Sequence, residues 1–220
     1  MSLFRVENVH FSSKNKEVIR GISLSIDSGS VNYLSGRSGS GKSTLLKLIA
    51  GVLVPSYGKV FYNDVDIQSM NNSSNKKFRR ECAFVFQDAA LWANLDILQN
   101  LNLPLQTHNP DMPKEVRLQR IHEICELLHY DKALNLRPVD LSMGEQKKIA
   151  FARALINNPS TLFLDECTES LDKKNGSIIL GILHDFIDRG NTVIYVSHST
   201  SFVNAIGGHA YVIDEGLLSE

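Results

Sequence analysis

The sequence predicts an α/β fold: a mostly parallel sheet, an N-terminal antiparallel β part and an inserted α-helical lobe. Three observations carry this. Apolar runs of strand length alternate with amphipathic helical stripes, the pattern of a parallel sheet with helical crossovers. The N-terminal segment instead alternates with period two, clearest in "GISLSI", where Ile22, Leu24 and Ile26 share a face. From Leu91 to Pro138 the chain reads as loop and helix, with Ile121, Ile124, Cys125 and Leu128 forming one apolar stripe. The 220 residues make one domain on this reading: 1–90 and 139–220 the core with its β part, 91–138 the helical lobe.

In chain order, a short run from Val31 to Leu34 leads into "SGRSGSGKST". A helix follows with Leu45, Leu48 and Ile49 at core spacing and Gly51 as its stop. "GKVFYNDVDI" reads as a hairpin edge, and "NNSSNKK", Asn71 to Lys77, as a polar loop without an apolar stripe. After the helical lobe come the helix of "DLSMGEQKKIAFARAL" and the strand "TLFLD". A helix with Ile179, Ile182, Leu183 and Phe186 on one face follows, then the strand "TVIYVSH" and a final "AYVID".

Composition excludes several classes. Hydrophobic residues make up 43% and charged residues 21%, which is ordinary for a globular chain. Twenty-three basic residues against 24 acidic give a net charge of -1, offering no bulk field for nucleic acid or an anionic membrane. Cys82, Cys125 and Cys167 are odd in number and far apart, which favours a reducing compartment over a disulfide framework. The sequence shows no cleavable signal pattern and no apolar run of bilayer length, so service to a membrane requires a partner.

The sharpest motif is Gly36-Arg37-Ser38-Gly39-Ser40-Gly41-Lys42-Ser43-Thr44, which fits G-x-x-x-x-G-K-[ST] after a strand and at a helix start. Glycines let backbone N–H groups curl around phosphate oxygens, and the helix N-terminus adds its dipole. Lys42 then reaches the terminal phosphates and Ser43 can ligate Mg²⁺. The core is therefore that of a P-loop nucleoside triphosphatase. "TLFLDE" places Asp165 and Glu166 at a strand's carboxyl end, where Asp165 can hold the Mg²⁺ water shell and Glu166 can orient or deprotonate an attacking water. Ser142 and Glu145 read as the capping box S-x-x-E at the start of the "MGEQKKIAFARAL" helix.

In this order the pieces resemble the ATP-binding cassette, the motor subunit of ABC transporters. Gln87 in "FVFQD", "LSMGEQ" from Leu141 to Gln146, "SLD" from Ser170 to Asp172, and His198 closing "IYVSH" stand where that family's motifs stand. The resemblance implies two copies sandwiching two ATP molecules, with Ser142, Gly144, Ser170 and Asp172 at the other copy's site. It implies Gln87 as a Mg²⁺ ligand beside Ser43, and His198 bonding the γ-phosphate. Lys42, Gln87, Glu166 and His198 are then the catalytic set. The chain is expected to sit on the cytoplasmic side of the inner (plasma) membrane, docked on separate permease subunits through a groove near Asp88–Leu105.

That groove, "QDAALWANLDILQNLNLPLQTH", looks like the corresponding segment of Mla/Mce-type phospholipid-trafficking ATPases, which implies lipid cargo. Lipoprotein-releasing and cell-division cassettes carry similar segments and are the alternative. Trp92 in it fits a buried core aromatic as well as a docking anchor. The sequence also departs from the family. Met143 and Glu145 replace a glycine and a glutamine, and Cys167 replaces a proline. The place of the usual base-stacking aromatic falls on Ser13, while Phe11 is expected to pack in the core. Lys76, Lys77, Arg79 and Arg80 read as a solvated basic face. The short helical lobe argues against a DNA-repair ATPase, and Glu166 with His198 argues against a switch that binds ATP without hydrolysing it.

Overall fold

The computed structural model describes residues 2–14, 16–168 and 171–219. Ser170 lies outside them. A four-stranded antiparallel sheet is built from β1 (Ser2–Ser13), β2 (Lys16–Asp27), β4 (Tyr57–Tyr62) and β5 (Val65–Asp66), in the order β2-β1-β4-β5. Its alternation holds along Ile22, Leu24 and Ile26 but changes phase at Gly21, since Ile19 and Ile22 are both buried. The register shifts there, between the Val9–Ile22 and His10–Arg20 pairs, and Gly21 takes φ 80° to allow the bulge.

The second sheet has six strands in the order β10-β9-β3-β8-β7-β6, from β3 (Val31–Ser35), β6 (Cys82–Val85), β7 (Thr161–Asp165), β8 (Thr192–Val196), β9 (His209–Asp214) and β10 (Leu217–Ser219). All pairs are parallel except β9 with β10. Every residue of β7 and β8 is buried, as expected of strands covered on both faces. Alternate side chains feed two cores. Phe163 and Ile194 join Phe4, Ile26, Leu45 and Phe78 beneath the four-stranded sheet. Leu162, Leu164, Val193 and Tyr195 join Leu101, Ile121, Phe151 and Leu183 on the other side.

The helices are α1 (Lys42–Ile49), α2 (Asn72–Glu81), α3 (Ile97–His108), α4 (Lys114–Leu127), α5 (Met143–Leu155), α6 (Lys173–Asp188) and α7 (Thr200–Ile206). The expected polar loop at Asn71–Lys77 is corrected to the first half of α2. Asn71 caps it by accepting from the Ser74 N–H at 2.9 Å, and Phe78 alone is buried. A single anchoring ring leaves no stripe to read, so the cap carried the signal. Arg79 is likewise not part of a purely solvated face: its guanidinium donates to Ala50 O (3.0 Å) and Gly51 O (2.7 Å), closing the end of α1. The final "AYVID" continues into a hairpin, and α3 and α7 were not legible. Pro104 inside α3 breaks the helical pattern, although Asp96 and Gln99 form its capping box.

Candidate functional site

The phosphate loop joins β3 to α1. Gly36 (φ 137°), Gly39 (φ 78°) and Gly41 (φ 107°) all lie in the left-handed region, so the motif's glycines are conformational requirements. At Gly36 an added Cβ would stand 2.0 Å from Ile213 O, so the loop passes against β9 with no room for a side chain. Gly41 caps α1 without a side-chain hydrogen bond, leaving the helix N-terminus to an anion. Lys42 is almost fully buried, and its Nζ donates to Gly36 O (3.0 Å) and Arg37 O (2.8 Å) across the loop. Desolvation lowers its pKa, partly opposed by the charge of Glu166. Arg37, Ser38 and Gly39 are exposed, Ser43 and Thr44 half-buried, and the buried Ser40 Oγ has no hydrogen-bond partner among the described residues.

The carboxyl ends of β6, β7 and β8, adjacent in the sheet, bring three predicted residues together. Glu166 Oε2 accepts from Gln87 Nε2 at 3.2 Å, and Oε1 lies 3.1 Å from His198 Nε2. Glu166 itself has φ 48°, a conformation costing about 1–3 kcal/mol in a side-chain-bearing residue. Its N–H donates to Val196 O at 3.0 Å, which holds this turn against β8. Asp165, one residue earlier, is 1% exposed. Its Oδ2 is 3.0 Å from Lys47 Nζ, and its Oδ1 is buried without a partner among the described residues. Ser43, Gln87 and Asp165 offer hydroxyl, amide and carboxylate oxygens, the donors Mg²⁺ prefers, and the orphaned Oδ1 is an acceptor such an ion or its water would satisfy. The donor set fits Mg²⁺.

The turn at the start of α5 is the expected capping box. Ser142 Oγ accepts from Glu145 N–H at 3.3 Å, and Glu145 Oε2 accepts from Ser142 N–H at 2.8 Å. Lys132, unforeseen in the sequence, sits 2.9 Å from Glu145 Oε1; chiefly through that bond the carboxyl pKa falls to about 2. Glu145 therefore faces back into the turn as an anion. Met143 projects with 63% exposure. At Gly144 an added Cβ would meet only ordinary contacts among the described residues, 3.5 Å to Asn175 Nδ2 and 3.9 Å to Leu171 Cδ2, so none of them demands that glycine. Asp172 caps α6, accepting from Asn175 N–H at 2.7 Å. Cys167 is buried, and desolvation pushes its thiol up to about 12, making it inert packing.

The segment after Gln87 is held by residues that sequence reading missed. Arg153 of α5 donates to Ala90 O (2.7 Å) and Ala89 O (3.1 Å), pinning two alanines at φ 49° and φ 27°. Asn100, fully buried in α3, accepts from Trp92 N–H (2.8 Å) and donates to Trp92 O (3.1 Å), fixing a turn that leaves Trp92 56% exposed. Trp92 is thus not a core aromatic. The only sequence cue to Asn100 is a polar residue next to the apolar positions Ile97 and Leu101. A groove of about 550 Å³ runs from Gln87 and Asp88 past Leu91 to Val139 and Met143. Phe11 is half-buried against the core, as expected, and Ser13 is exposed. A cavity of about 370 Å³ beside the phosphate loop is lined by Lys16, Val18, Arg20, Arg37 and Asp214.

A P-loop joined to an acidic strand end, with a glutamine and a histidine from the flanking strands, defines a nucleoside triphosphatase. The chain belongs to the ABC transporter family, which its residues 19–169 match, and it is the ATPase subunit type of that family. A methionine import ATP-binding protein of Clostridium acetobutylicum is 31% identical over 219 residues, 99% of this chain and 68% of that protein. A lipoprotein-releasing system ATP-binding protein of Buchnera aphidicola is 34% identical over 197 residues, 88% of this chain and 85% of that protein. A solved dimer of the ATP-binding cassette MJ0796, in a post-hydrolysis state bound to ADP and Pi, superposes with a TM-score of 0.90 at 30% identity, covering 99% of this chain and 97% of that one.

Proposed function

We propose that this chain hydrolyses ATP as one half of a pair of identical cassettes, and that closure of the pair drives separate permease subunits. The observation that carries the reading is the convergence of Gln87 and His198 on the Glu166 carboxylate beside the phosphate loop. Lys42 and the loop N–H groups, from Gly36 to Thr44, hold the β- and γ-phosphates, for which Lys42 exchanges the carbonyls of Gly36 and Arg37. Mg²⁺, when held by Ser43, Gln87 and Asp165, supplies charge neutralisation at the phosphate oxygens. Glu166 exchanges its bonds to Gln87 and His198 for the lytic water and takes its proton. His198 then bonds the γ-phosphate. Catalysis is positioning and electrostatics, without a covalent intermediate.

The second copy lends the turn at Ser142 and Gly144, with Asp172, to its neighbour's nucleotide. The turn's place at a helix N-terminus, and the absence among the described residues of a steric need for Gly144, support this. Because Glu145 is held away by Lys132, its charge does not oppose the phosphate. Met143, exposed, is tolerated: Met143→Gly should change hydrolysis in the assembled complex by no more than about twofold. A turnover that vanishes with Met143 and returns with glycine overturns this.

Docking on the permease subunits uses the Asp88–Leu105 surface, with residues 91–138 moving as a helical lobe on the cytoplasmic face of the membrane. Among the described residues no helix is long and apolar enough to cross a membrane. Trp92 is the anchor, since Asn100 and the capped α3 hold its turn rigid with the ring outward. Trp92→Ala should weaken binding to the membrane subunits roughly 30-fold or more with an unchanged melting temperature. Unaltered co-purification in that variant refutes the anchor.

For cargo we favour lipid, on the likeness of the Gln87–His108 segment to phospholipid-trafficking cassettes. A second reading, lipoprotein release, is favoured by the likeness to the Buchnera protein over most of its length. Lipid analysis of the complex co-purified with its membrane subunits separates them: bound phospholipid supports the first, an acylated protein the second, and neither removes both.

A further inference from the structure

We infer that Lys47 is a positioning residue for Asp165: a resident cation that neutralises the buried carboxylate and sets how strongly the site depends on the nucleotide's divalent ion. The inference rests on the reading that Asp165 belongs to the Mg²⁺ site. Lys47 lies on α1, the same helix whose first residue is Lys42, so one element aims one lysine at the phosphate loop and another at the acid beneath it. The ammonium is 3.0 Å from Asp165 Oδ2, with side-chain exposures of 32% for Lys47 and 2% for Asp165. The other oxygen, Oδ1, is buried and without a partner among the described residues.

This asymmetry has a physical consequence. A carboxylate so completely removed from water is severely destabilised unless a cation accompanies it. Lys47 is that cation on one oxygen, which lets the strand end at β7 close without metal. The other oxygen remains for a second positive charge. The two cations repel each other across one carboxylate, so Lys47 weakens the pull of Asp165 on the divalent ion while keeping the side chain oriented for it. Taking Lys47 away reverses both effects: the chain loses stability without metal, and the metal becomes the only available counter-charge.

The test compares the full chain with Lys47→Met and Lys47→Arg, measuring melting temperature and ADP affinity in EDTA and in Mg²⁺. Lys47→Met should lower the melting temperature in EDTA by on the order of 10 °C. It should raise the ratio of ADP affinities with and without Mg²⁺ about tenfold, while Lys47→Arg stays near the parent. A Mg²⁺-dependent parent whose ratio is unchanged in Lys47→Met overturns the role of Lys47 alone. A parent whose ADP affinity ignores Mg²⁺ overturns the metal-site reading and the inference with it. Should Lys47→Met fail to fold, Lys47→Met with Asp165→Asn should fold, because no unpaired carboxylate remains buried. A double variant no more stable than the single one overturns the pairing.

Discussion

Glu166→Gln should lower phosphate release by about 100-fold or more while leaving ATP binding intact. The substitution keeps the size of the side chain, so the turn at φ 48° and its bond to Val196 O need not change. What it removes is the charge and, on the proposed mechanism, the proton acceptor. It also disturbs the local network, because Gln87 Nε2 and His198 Nε2 converge on two carboxylate oxygens, and an amide presents one oxygen and one NH₂ group. The phosphate loop, Lys42 and the N-terminal end of α1 keep their positions. ATP should therefore still draw two cassettes together, and without hydrolysis the pair should persist. The check is phosphate release from the complex beside the mass of the isolated chain with Mg-ATP. Undiminished release removes Glu166 from the chemistry, and a chain that stays single removes the paired arrangement.

Much of this was legible because the signals are local. The G-x-x-x-x-G-K-S spacing, the apolar strand ending in Asp165 and Glu166, and the S-x-x-E box each lie within a few residues, and periodicity fixed which faces of β2, α4 and α6 are buried. The residues that hold these motifs in position were illegible because their partners are distant in sequence. Lys47 meets Asp165, Lys132 meets Glu145, and Arg153 meets Ala89 and Ala90, in each case through tertiary folding. A long flexible cation has no periodic signature and reads as surface charge. Trp92 illustrates the converse: burial statistics could not decide its place, whereas Asn100 does, by four hydrogen bonds to the turn around it. Segment α2 is illegible for a third reason, since a helix that buries one ring presents a single apolar anchor and no apolar stripe.

The same contrast between local spacing and distant partners separates the glycines of the phosphate loop. Gly36 is a fixed glycine of the motif and Gly39 stands at one of its free positions, yet both have positive φ, 137° and 78°. Their surroundings differ. A Cβ at Gly39 meets nothing within 4 Å among the described residues, whereas one at Gly36 would stand 2.0 Å from the Ile213 carbonyl of β9. Backbone cannot rotate aside as a side chain can, so Gly36→Ala must push the loop off β9 or part β9 from β3. Adding the strain of the left-handed conformation gives roughly 2–5 kcal/mol, a melting temperature lower by about 5–15 °C for a chain of this size. The displaced loop should also bind ADP at least about tenfold more weakly, because its N–H groups lose their common focus. Gly39→Ala keeps its space and should lose only about 1–3 kcal/mol to backbone strain. Melting curves of the two variants, with and without Mg-ADP, measure the difference. If both fall by the same amount, the loop is anchored by its glycine spacing alone, and the contact with β9 contributes nothing to its shape.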